Sequence, residues 1–167
     1  MKSLTIYRIL TFLLVPVAVL FGFMDLMILV SALANPALLI FVFMFGCFVI
    51  YIFSSLKFFS KGIEPGRPVK SSLRDWIRVN AFVSGFMGSI FLLNAFSIFL
   101  MSDITLRQVI TQFTENQPNV PANLSPELFL QMMKFFAWFI SIVSIVLLIQ
   151  IRMTFRLLKQ YKHLFSE

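Results

Sequence analysis

The sequence predicts an all-α fold, an integral membrane four-helix bundle with both termini cytoplasmic. Three observations predict it. Of the 167 residues, 59% are hydrophobic and only 13% charged, where soluble domains carry roughly 25% charged residues. The apolar residues gather in four long runs. The basic residues gather on one side of those runs. The reading takes the whole chain, 1–167, as one four-span transmembrane domain.

The runs cover about 9–33, 36–56, 79–101 and 128–151, each 21 to 25 residues long. About 20 residues at 1.5 Å rise cross a hydrocarbon core of roughly 30 Å. Helix is the expected form, because backbone groups in lipid must pair within their own segment. Pro16 falls inside the first run, where membrane helices tolerate it. The first run is read as a retained helix, since 25 residues exceed the 7–15 of a signal peptide.

Four spans put both ends on one side. That side carries Lys2 and Arg8, the basic residues of the loop 57–78, and those of the tail 152–167, which is twelve of the fourteen Lys and Arg; Arg107 and Lys134 are the other two. The positive-inside rule makes the loop and the tail cytoplasmic, and a bacterial inner membrane is the expected location. This topology accounts for the net charge of +7, so no nucleic-acid partner is implied. The expected partners are anionic headgroups on the cytoplasmic side and either further copies of the chain or another protein.

The outer connection, 102–127, is long. Leu106, Val109, Ile110 and Phe113 recur at i, i+3, i+4 and i+7 within it and predict a short amphipathic helix. This helix lies on the membrane surface or caps the bundle; the sharper alternative is a lid or docking element. A sequon stands at Asn123. Ser125, Pro126 and Glu127 read as the start of the fourth helix, with a capping hydroxyl, a proline at the first position and an acid near the positive end of the dipole. That helix is expected to run on to about His163.

Candidate sites follow from polar residues in apolar runs. Asp25 and Asn94 each lie four residues outward from the middle of their spans, and Lys134 lies five to six residues outward from the middle of its own. A charge within the bilayer costs at least a few kcal/mol and normally has a partner. Asp25, Asn94 and Lys134 are therefore expected to form an intramembrane polar cluster, with snorkelling of Lys134 to the interface as the competing reading. Asp25 is open to three roles: a hydrogen-bonded structural group, a transport or gating carboxylate, or a contact with another subunit. Ala81, Gly85 and Ser89 form a small-residue ridge that lets a second helix approach. Asn80, Met87 and Asn94 occupy a roughly opposite face. Arg152, Arg156, Lys159 and His163 form a basic stripe for lipid headgroups or an acidic partner.

Catalytic sets are missing. His163 is the sole histidine and stands in the tail. A zinc protease or a bis-histidine haem site needs two histidines, and an intramembrane aspartyl protease needs two aspartates at depth. No glycine-rich phosphate loop is present. Cys47 is the single cysteine, so it forms no internal disulfide and reads as a packing residue. No enzyme activity, cofactor or metal is expected. Two functions stay open. One is a non-enzymatic membrane subunit (sensor, anchor or regulator) in an oligomer or a complex. The other is a small transporter or oligomeric channel that uses Asp25. For the second, the inner half of the spans offers only Asn80, Ser84, Ser54, Ser55 and Gln150 as a polar path.

Overall fold

The computed structural model describes residues 2–115 and 125–166. The chain is about 90% helical. The described residues form five α-helices: α1 Lys2–Ala32, α2 Leu39–Phe58, α3 Ser71–Leu100, α4 Asp103–Glu115 and α5 Pro126–Gln160. Four stretches, Leu4–Ala32, Pro36–Ile63, Ser71–Leu100 and Pro126–Gln160, are long and apolar enough to cross a membrane. Large apolar side chains such as Phe23, Met27, Phe82 and Trp138 point outward from them. Lipid accepts such a surface; water does not. The sequon at Asn123 and the prolines at 118 and 121 lie outside the described residues, as does the side chain of Phe113.

The chain groups into two compact units, Met1–Gly88 with Val146–Glu167, and Ser89–Ile145. In the first unit, α1 and α2 form an antiparallel hairpin. The backbone N–H groups of Ala34 and Asn35 both donate to Ser31 O at 3.1 Å, closing α1. Asn35 Oδ1 then accepts from Ala37 N at 3.2 Å and caps a short 3-10 turn, Pro36–Leu38. Gly22 and Gly46 let the two helices come close: a Cβ on Gly22 would stand 3.7 Å from Val49. Phe21 packs its ring on Phe45 and Phe48 at centroid distances of 5.1 and 5.6 Å.

α2 passes into a π-helical turn, Phe59–Ile63, where Glu64 N donates to Phe59 O at 3.0 Å. Gly66 then stops it. Arg67 N donates to Gly62 O and Gly66 N to Ile63 O, the paired bonds of a Schellman cap. Gly66 sits there at φ +63°, in the left-handed region that a side chain makes costly.

Two residues that follow, Val69–Lys70, form strand β1. They pair in parallel with Phe165–Ser166, strand β2, in the register Val69↔Phe165 and Lys70↔Ser166. Here the structure differs from the expected continuous helix. α5 ends at Gln160, because Tyr161 leaves helical geometry at φ −102°, ψ 30°. A 3-10 turn, Lys162–Leu164, brings Phe165 back onto the loop. Phe165 stacks on Phe58 at 5.2 Å, the Arg74 guanidinium lies 5.9 Å from its centroid, and Leu164 is buried. Burial of Leu164 and partial burial of Phe165 offset the three residues of exposed helix that are given up. The tail is thus tied down by the loop.

In the second unit, α4 lays Leu106 and Ile110 on Leu130 of α5, with Ile98, Phe129 and Met133 around them. Val109 is left exposed. Ser102 Oγ accepts from Thr105 N at 3.2 Å and caps α4, and Asp103 stands in its first turn. Ser125 Oγ accepts from Leu128 N at 3.2 Å and caps α5, with Pro126 as the first helical residue.

Candidate functional site

Each spanning helix carries a pair of buried polar residues four apart: Tyr7 and Thr11 on α1, Tyr51 and Ser55 on α2, Asn80 and Ser84 on α3, and Gln150 and Thr154 on α5. Residues four apart share one face of a helix. All eight belong to the first unit. All lie in the half of their helix that ends at the loop or at a chain terminus. Back-bonding to the carbonyl one turn earlier satisfies three of the hydroxyls. Thr11 Oγ1 donates to Tyr7 O at 2.8 Å, Ser84 Oγ to Asn80 O at 2.7 Å, and Thr154 Oγ1 to Gln150 O at 2.9 Å.

Three of the pairs also bond across helices. Tyr51 OH donates to Gln150 Oε1 and lies 2.9 Å from Thr154 Oγ1. Gln150 Nε2 donates to Thr11 Oγ1 at 3.3 Å. Thr154 Oγ1 is also 3.2 Å from Tyr7 OH. With its one proton on Gln150 Oε1, Tyr51 OH can only accept from Thr154, so the single Thr154 proton is shared among Gln150 O, Tyr51 OH and Tyr7 OH. Tyr7, Thr11, Tyr51, Gln150 and Thr154 are each fully shielded from solvent. The network therefore joins α1, α2 and α5 in a dry interior. Asn80 Nδ2 finds its acceptor on its own helix, Trp76 O at 2.8 Å.

Of the residues expected to cluster, Asp25 belongs to the first unit and Asn94 and Lys134 to the second. Lys134 Nζ donates to Asp103 Oδ1 at 2.7 Å, so its partner is an acid that the sequence placed outside the spans. Packing of Leu106 and Ile110 on α5 folds Asp103 back beside it. Both partners are about half exposed (42% and 60%), which limits such a pair to at most about 1 kcal/mol. Asn94 is exposed on α3. Asp25 faces α2: a Cβ on Gly46 would stand 3.6 Å from its Oδ2. Its Oδ1 is buried with no hydrogen-bond partner. The carboxyl lines a groove of about 390 Å³ between α1 and α2 with Ala18, Gly22, Gly46 and Phe53.

On the ridge of α3, Ala81 is buried, and a Cβ on Gly85 would stand 3.5 Å from Ile151 of α5. Ser89 is exposed. Gly88, outside the expected ridge, comes closer: a Cβ there would stand 3.2 Å from Leu147. Met87 is buried, as is Cys47. Arg152, Arg156, Lys159 and His163 are exposed, and Arg152, Arg156 and Lys159 make no ion pair among the described residues. The opposite face of the same helix carries Gln150, Thr154 and Leu158, all buried.

No protein-family model, curated protein or solved structure matches this chain.

Removing one member of a buried pair strands its partner, at a cost of about 1–3 kcal/mol. Tyr51→Phe is expected to lower unfolding stability in detergent by that amount, because Gln150 Oε1 loses its donor. Thr154→Val is expected to cost about the same. In the double mutant the two costs should fall short of their sum by at least about 0.5 kcal/mol. A strictly additive cycle, measured by thermal unfolding, would show that the two side chains do not act together.

Proposed function

We propose that this protein is a non-enzymatic membrane subunit, a sensor, anchor or regulator, that presents the basic stripe of α5 to an acidic partner on the cytoplasmic side of a bacterial inner membrane. The observation that carries the reading is the division of α5 into two faces. One is held by Gln150 and Thr154 in the buried network. The other offers Arg152, Arg156 and Lys159, exposed and without an ion pair among the described residues. A cationic surface whose opposite face is fixed loses little freedom when a partner docks, which favours affinity. The tail that follows is tied to the loop by β1 and β2. The excess of Lys and Arg at this end of the sequence supports the cytoplasmic orientation. Partner and homo-oligomer both remain compatible with the close approach of α3 to α5, which uses the ridge glycine Gly85 within one chain.

A second reading, a small transporter or oligomeric channel, draws on one observation: the buried, unpartnered Oδ1 of Asp25 in an apolar groove. Intramembrane carboxylates of this kind mark ion and proton pathways.

Two experiments separate the readings. Charge reversal at the stripe, Arg152→Glu with Arg156→Glu and Lys159→Glu, should abolish co-purification of a partner from native membranes while insertion and unfolding midpoint stay unchanged. Unaltered co-purification would remove the docking role. Asp25→Asn should leave that co-purification intact. In reconstituted vesicles the transporter reading requires the same substitution to eliminate flux, and flux that survives it would discard Asp25 as the coupling group.

A further inference from the structure

A cleft of about 1180 Å³ lies between α2 with its π-helical turn and the start of α3. Its mouth carries four cations, Lys57, Lys61, Arg67 and Lys70. No acid lines it. None of the four makes an ion pair among the described residues; Glu64 pairs with Arg8 at 3.5 Å, and Asp75, which lines the adjoining groove, pairs with Arg74 at 3.4 Å. The π-helical turn contributes to this charge. It buries Phe59 and Ile63 and leaves Ser60 and Lys61 on the cleft.

Below the mouth the walls become apolar, with Val49, Ile50, Phe53 and Trp76. A second groove of about 540 Å³ continues from it, sharing Ile50, Ser72 and Trp76 and reaching Phe43 and Val42. From Lys57 to Val42 is 15 residues of helix, about 22 Å at 1.5 Å each. One leaflet of a bilayer offers about 15 Å of hydrocarbon depth. The slot is thus long enough for an acyl chain, and its charged end is where a headgroup would sit.

We propose that this groove between α2 and α3 holds one anionic phospholipid. Its phosphate lies among Lys57, Lys61, Arg67 and Lys70, and one acyl chain runs along Ile50, Trp76 and Val79 toward Val42. Charge complementarity selects an anion, and the apolar slot selects a lipid over a free phosphate. The site is separate from the α5 stripe and does not depend on the docking role.

The test is native mass spectrometry of the full chain, delipidated in mild detergent and titrated with phosphatidylglycerol, phosphatidylcholine or inorganic phosphate. One phosphatidylglycerol per chain should be retained in preference to phosphatidylcholine, and inorganic phosphate should not displace it. Replacing the four cations by Gln should weaken retention by roughly tenfold or more. Ile50→Phe with Val79→Phe fills the slot with every cation in place and should cause a comparable loss. Charge reversal at the α5 stripe should not affect it. Equal retention of the two lipids would overturn the proposal. So would full retention in the filled-slot variant, which would reduce the effect to surface charge, or displacement by phosphate, which would make this a free-anion site. Unfolding midpoints of each variant separate loss of lipid from loss of fold.

Discussion

Tyr51 of α2 reaches two groups one turn apart on α5, Gln150 Oε1 and Thr154 Oγ1, and the same two residues reach Thr11 and Tyr7 of α1. The rest of the first unit depends on this arrangement. A polar side chain buried among apolar helices has no water to turn to, so it must find protein partners or cost about 1–3 kcal/mol. Five such side chains satisfy one another only if three helices hold one register and one rotation. Interhelical hydrogen bonds in membranes average only about 0.6 kcal/mol each. Their weight here lies in specificity, because a shift of either helix by one residue would strand several groups at once.

Everything at that end of the unit is arranged around this tie. With Gln150 and Thr154 turned inward, Arg152, Arg156 and Lys159 of α5 are turned outward. With Tyr51 and Ile52 turned inward, Ile50 and Phe53 of α2 are left to line the cleft that faces α3. The π-helical turn and the Gly66 cap then bring the loop round to receive Phe165. The outward basic stripe of α5 and the apolar wall of the cleft thus follow from the way the buried cluster turns α5 and α2. Glycines complete the packing elsewhere: Gly22 and Gly46 between α1 and α2, and Gly85 and Gly88 between α3 and α5.

The four spans were legible because length and hydropathy alone decide whether a helix can cross lipid. The cap of α5 was legible for a local reason: Ser125, Pro126 and Glu127 each act on the backbone within one turn. The polar network was not read, though its signal was present. Tyr7/Thr11, Tyr51/Ser55, Asn80/Ser84 and Gln150/Thr154 are four pairs at a spacing of four, in corresponding halves of four helices. Asn80, Ser84, Ser55 and Gln150 stand out as polar residues of the inner half, but threonine and tyrosine carry little weight in a hydropathy reading, so their pairing with Tyr7, Thr11, Tyr51 and Thr154 does not show in it. The partner of Lys134 was missed because Asp103 belongs to α4, and only the packing of Leu106 and Ile110 on Leu130 brings it back. The cleft was out of reach for a similar reason: its cations were visible as loop charge, but their convergence on an apolar slot is a property of the π-helical turn and the start of α3.

The hold of the buried network on α5 against α2 can be read from the distance between spin labels at Lys57 and Arg156, measured by pulsed dipolar spectroscopy in lipid nanodiscs on a Cys47→Ala background. One narrow distance distribution is expected, and it should broaden when Tyr51→Phe and Thr154→Val are combined. A distribution of unchanged width in that double variant would contradict it, because the two helix ends would then be held by apolar packing alone.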